Sequence, residues 1–215
     1  MLLLACLWFG LHLAARFAPS AAPIPIVLTN SVLIQEAVVK LGTTLVLIGL
    51  LAGSGRQSLG EFGLKWSPLS NQIRDGWFGF KLAILPMAAT MALVAPLRTQ
   101  DSQNPLLRLL ANDPEYVTLS LIILVAAIIA PLSEELIFRV ILQGSLSTVM
   151  PSRLTIPIVA VAFSAVHGPV DGLALFPLAL LLGYVFQQRH SYMAVVVIHS
   201  LFNATMLALQ LLTAR

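Results

Sequence analysis

The chain of 215 residues holds a single cysteine, Cys6, which excludes an internal disulfide. Charge is equally scarce. Asp, Glu, Lys and Arg make up 10% of the residues, against about 25% in a soluble domain. So little polar surface cannot cover a water-soluble fold of this length. The net charge of +3 does not point to nucleic acid, because the basic residues fall between apolar runs, where they orient membrane segments. No H-E-x-x-H occurs, which excludes a standard zincin site. No G-x-S-x-G frames a nucleophilic serine. There is no internal repeat of the kind common in transporters.

Hydrophobic sequence is what abounds, at 58% of the chain. About 20 apolar residues cross a bilayer. Seven runs reach or approach that length: 2–17, 32–52, 77–97, 116–150, 154–167, 173–188 and 192–212. The expected fold is an all-α polytopic membrane protein, a bundle of about seven transmembrane helices. The first run begins apolar at Met1 with Arg16 behind it, so a retained first helix or signal anchor is expected rather than a cleaved signal. Pro131 is expected to divide the run 116–150, with Ser133 capping the next helix. The linker 53–76 reads as a loop with one amphipathic, surface-lying piece carrying Phe62, Leu64 and Trp66. Its Arg56, Lys65 and Arg74 place it in the cytoplasm, and the turns at Arg153 and Arg189 fall on the same side. Glu36 and Lys40, one helical turn apart, read as an interfacial salt bridge. His12, His190, Arg153 and Arg189, near span ends or turns, read as solvated.

From residue 116 onward the ionisable residues within apolar runs are Glu134, Glu135, Arg139, His167 and His199, joined by Asn203. An unpaired charge at the bilayer centre costs at least ~2.5–3.5 kcal/mol, so such residues are candidate functional groups facing a protein interior or a wet cavity. Glu135 and Arg139 are four apart and can neutralise each other. Glu134 projects about 100° away and has no local partner. His199 and Asn203 share a face, as do Phe163 and His167. Three helices can therefore converge a carboxylate, two imidazoles and an amide on one pocket. A carboxylate and an imidazole can hold and deprotonate a water. A second imidazole and an amide can stabilise an oxyanion. That set permits peptide-bond hydrolysis without a covalent intermediate. Glu134, His167 and His199 are also an alternative ligand set for a catalytic zinc. The rival reading is a non-catalytic scaffold or proton-coupled transporter using the same polar cluster.

These residues fall into three ordered motifs. "EELIFR" (134–139), "FSAVH" (163–167) and "HSLFN" (199–203) resemble the E-E-x-x-x-R, F-x-x-x-H and H-x-x-x-N motifs of the CPBP family. These are the CAAX-protease and bacteriocin-processing, abortive-infection-like intramembrane proteases. The resemblance covers about 121–209, and "SLGEFGLKW" is similar to a segment found ahead of the core in such proteins. Relatives often follow the arginine with glycine, where this chain has Val140. The resemblance implies helices packed around a membrane-embedded polar cavity, with residues 1–115 as N-terminal helices and loops and 116–215 as the catalytic core. It implies that Glu134 and His167 activate water, that His199 and Asn203 form the oxyanion site, and that Glu135 and Arg139 hold the motif helix together. It also implies no cofactor and a membrane-associated protein or peptide as substrate within the lipid bilayer. The expected location is the plasma membrane of a prokaryote, as a multi-pass protein.

Overall fold

A computed structural model describes residues 29–53, 59–65, 68–99, 106, 109–110 and 115–213. The expected first span at 2–17 lies outside the described residues, as do Cys6, His12, Arg16, Arg56 and Trp66. Among the described residues six long helices follow in order: α1 (Asn30–Gly53), α2 (Leu69–Val94), α3 (Tyr116–Leu146), α4 (Ser152–Val166), α5 (Pro169–Arg189) and α6 (Tyr192–Thr213). No strand occurs among the described residues. Five helices, all but α4, are long and apolar enough to cross a membrane. The chain is thus an all-helical, multi-pass integral membrane protein. Helix α4 has 15 residues and rises only about 22 Å, short of a hydrocarbon core about 30 Å thick.

The distribution of apolar side chains fits a bilayer as solvent. Leu45, Leu82, Leu85 and Leu93 point outward, at 69%, 68%, 78% and 78% exposure. In water such a surface would drive association. Lipid tails are as apolar as leucine and impose no such penalty. Inside, α4 and α5 pair as a hairpin, α2 lies against α5 and α6, and α1 lies against α3. Thr118 on α3 donates to Asn30 Oδ1 at 2.9 Å, joining the starts of α1 and α3.

Two expectations are corrected. Pro131 does not divide the fourth run, and Ser133 is no cap: α3 is continuous from Tyr116 to Leu146. An interior proline ordinarily breaks a helix because its ring meets the carbonyl four residues back. Here the turns 125–129 and 136–143 on either side are widened, with i→i+5 hydrogen bonds such as Ala130 N–H to Val125 O. Ser133 sits in the helix interior and its hydroxyl donates to Ala130 O. The linker ahead of α2 is likewise not a surface-lying piece. Leu59, Phe62 and Leu64 pack against the hydrophobic core. Gly63 O accepts from Tyr192 N–H at 2.9 Å, and Glu61 O accepts from His190 Nε2–H at 2.6 Å. Residues 59–65 of the linker are therefore docked on the α5–α6 turn. Helix α2 also begins at Leu69, earlier than the apolar run, because Gln72 and Asp75 find partners in Lys65 O and Arg189.

The α4–α5 connection fixes where α4 ends, and His167 stands at that end. Gly168 takes φ = 88°, a conformation that a side chain disfavours, and Pro169 starts α5 immediately after it. One turn on, a Cβ at Gly172 would collide with the Ser164 carbonyl. Gly172→Ala should therefore push α5 off α4 and destabilise the protein by about 1–3 kcal/mol. Gly42→Ala, where no atom lies within 4 Å, is the matched control and should cost nothing. Thermal unfolding of the two variants in one detergent checks this.

Candidate active site

Polar side chains from α1, α3, α5 and α6, and from the end of α4, meet at one pocket of about 610 Å³. Helix α1 contributes Glu36 and Lys40, α3 Glu134, and α6 His199 and Asn203, while His167 stands at the end of α4. The four residues singled out as a catalytic set, Glu134, His167, His199 and Asn203, all line it. Glu135 and Arg139 lie behind the wall, fully buried.

The two imidazoles are held from behind. His167 Nδ1 lies 2.7 Å from Phe163 O, one helical turn back. A carbonyl only accepts, so Nδ1 carries the proton. His199 Nδ1 lies 2.8 Å from Glu135 Oε1, and the carboxylate accepts there too. In the neutral rings both Nε2 atoms are then lone-pair acceptors. Both face Glu134 Oε2, at 3.8 Å from His167 and 4.0 Å from His199. Those distances are too long for direct hydrogen bonds. Phe163 sets the rings' planes: its centroid is 4.5 Å from His167 and 5.7 Å from His199.

Glu135 does more than pair with the arginine on its own helix. Its Oε2 accepts from Arg139 Nε at 2.9 Å while its Oε1 holds His199. Arg139 lies 5.3 Å over the Phe163 ring on the other side. The guanidinium, Glu135 and His199 thus form one buried relay of contacts. Pair spacing within one helix reveals Glu135–Arg139 but carries no signal for the His199 contact.

Asn203 is committed in a way that the H-x-x-x-N spacing does not suggest. Its Nδ2 donates to Ala126 O at 2.8 Å. In the widened turn Val125 O is served by the N–H five residues on, that of Ala130. For Ala126 that position is Pro131, which has no N–H. Asn203 supplies a donor to that part-buried carbonyl in place of the missing N–H.

Lys40 is the residue that sequence reasoning misplaced. Its Nζ lies 3.2 Å from Glu36 Oε1, as expected, but also 3.5 Å from Glu134 Oε1. Glu134 therefore has a charged partner, supplied by another helix. The pair is not at the start of its span, since α1 begins at Asn30 and Lys40 stands near its middle. An ionisable residue at mid-span is a functional candidate by default, and that signal was present. At the pocket's rim Arg98 meets Asp171 at 3.2 Å. Arg189 pairs with Asp75 at 3.5 Å and remains 60% exposed on its side chain, in keeping with a solvated position.

Fold and site together define a multi-pass helical membrane protein with ionisable groups gathered among apolar helices. Residues 116–205 match the family model described as Rce1-like, type II CAAX prenyl endopeptidase Rce1-like. The match, which spans α3 to most of α6, supports assignment of the chain to the CPBP/CAAX protease family. No curated protein and no solved structure matches the chain.

Proposed function

We propose that this protein is an intramembrane endopeptidase that hydrolyses a peptide bond of a membrane-associated protein or peptide. The observation that carries the proposal is Glu134 facing two imidazole Nε2 atoms across a pocket walled by apolar helices. Three acceptors at 3.8–4.0 Å form a place where a single water can donate to one and present its oxygen outward. Glu134, assisted by His167, takes a proton from that water as the oxygen attacks the scissile carbonyl. The oxyanion then faces α6. His199, its ring held at Nδ1–H by Glu135, serves it through Nε2–H when Glu134 Oε2, 4.0 Å away, shares with it the proton taken from the water. Asn203 has one amide hydrogen engaged by Ala126 O and a second for the oxyanion. Collapse breaks the C–N bond, and Glu134 returns its proton to the leaving amine.

The short α4 suits this chemistry. A helix about 22 Å long that starts at an exposed turn ends inside the hydrocarbon slab, which puts His167 below the surface. The pocket then serves as an intramembrane polar cavity within a bundle of about seven spans, in the plasma membrane of a prokaryote.

The reaction as drawn needs no metal. Among the described residues no three His, Cys, Asp or Glu side chains converge as metal ligands. The Lys40 ammonium at Glu134 Oε1 also opposes a cation at that carboxylate. Purified protein is expected to keep its activity in strong chelator. One stoichiometric metal per chain, lost in His167→Ala, would move the assignment to the zinc set Glu134, His167 and His199.

The test of function is a survey of membrane-protein termini in cells carrying the wild type or Glu134→Gln. New termini confined to the wild type identify both activity and substrate. Identical terminomes in a host that expresses both proteins at equal level count against the proposal.

A further inference from the structure

We propose that Lys40 is a positioning residue for Glu134, which makes helix α1 part of the active site although it lies outside the family-matched segment 116–205. This rests on the protease reading above.

The carboxylate of Glu134 is divided between two tasks. Oε1 meets Lys40 Nζ at 3.5 Å, while Oε2 faces His167 and His199. The two imidazoles stand 3.8 and 4.0 Å from Oε2, beyond direct hydrogen-bond reach. Among the described residues no other lysine or arginine lies within ion-pair distance of it, and Arg98, on the same pocket, is engaged with Asp171. A carboxylate in apolar surroundings persists as a charge only when paired. Lys40 is the group that pairs it, and it does so on the oxygen turned away from the imidazoles. The ammonium is itself fixed from the other side by Glu36 at 3.2 Å. Thr44 Oγ1 donates to Lys40 O at 2.8 Å, tying down the next turn of α1. The network orients Oε2 towards the reacting water and leaves it free of a direct hydrogen bond.

The experiment uses the full chain in liposomes and a substrate found by the terminus survey. Single-turnover rates are measured for Lys40→Met, Lys40→Arg and Glu36→Gln/Lys40→Met beside Glu134→Gln. Losing the orientation of a reacting group costs on the order of 10²-fold, so Lys40→Met should lower the maximal rate about 10- to 100-fold. The half-saturating substrate concentration should move by less than about threefold, because Lys40 is not asked to bind substrate. Lys40→Arg, which keeps the cation, should recover most of the rate. The double variant removes the same cation but strands one carboxylate fewer, so it separates charge loss from misfolding.

A folded Lys40→Met with the wild-type rate, beside an inactive Glu134→Gln, overturns the role of Lys40 and leaves the protease reading intact. Failure of both neutral variants to fold makes Lys40 a packing residue and also ends the proposal. An active Glu134→Gln ends the protease reading itself, and this inference falls with it.

Discussion

Glu134→Gln is expected to fold as the wild type does and to lose nearly all turnover. Glutamine keeps the size of the side chain and an oxygen for Lys40 Nζ, so the contact between α1 and α3 survives. Its amide N–H can turn to the imidazole lone pairs at 3.8 and 4.0 Å, which suits packing. What it cannot do is take a proton from water and return it to the amine. General-base catalysis contributes about 10²–10⁴-fold, and loss of the base here should cost at least that. Thermal unfolding and single-turnover cleavage by matched preparations separate the two effects. Full activity would end the protease reading and promote a scaffold or proton-coupled transporter.

Arg139→Ala should have the largest effect on stability. It leaves Glu135 fully buried, with His199 as its remaining hydrogen-bond partner among the described residues. Breaking a buried pair costs about 3–5 kcal/mol. The contact of the guanidinium with the Phe163 ring goes too. Removing both charges, in Glu135→Gln with Arg139→Met, should recover much of the folded yield. Turnover should not return, because a glutamine no longer holds the His199 Nδ1–H as the Glu135 carboxylate does. A double variant as poorly folded as the sum of the singles would show that the two charges are not coupled. A folded, active one would show that Glu135 serves packing alone.

Much of this arrangement is legible in the sequence because the governing forces are local. Hydropathy reports the free energy of placing a side chain in lipid, so the long runs at α1, α2, α3, α5 and α6 can be read directly. Helical spacing pairs Glu135 with Arg139 and sets Glu134 on another face. What could not be read depends on contacts between helices. Pro131 carries the ordinary signal of a helix break, and the signal fails because widened turns and a side chain from α6 accommodate it. Lys40 has a satisfying partner in Glu36 on its own helix, and that local answer concealed the second carboxylate. The orientations of His167 and His199 depend on which atom meets each Nδ1. One partner is a backbone carbonyl and the other a carboxylate from α3, and sequence spacing distinguishes neither. The linker residues Phe62 and Leu64 looked like a membrane-surface strip because their docking site, the α5–α6 turn, is distant in the chain.

The contact between Asn203 and the carbonyl of Ala126 has a consequence for how this site can change. Proline at 131 creates a demand for a donor, and asparagine at 203 meets it. The two positions are therefore epistatic. An alanine at 203 is costly while the proline stands, since a part-buried carbonyl loses its donor. With alanine at 131 instead, a backbone N–H at that position can serve the carbonyl itself, and the Asn203 amide is released. For the helix itself the order of change is fixed: the proline must go before the asparagine can be replaced without leaving that carbonyl bare.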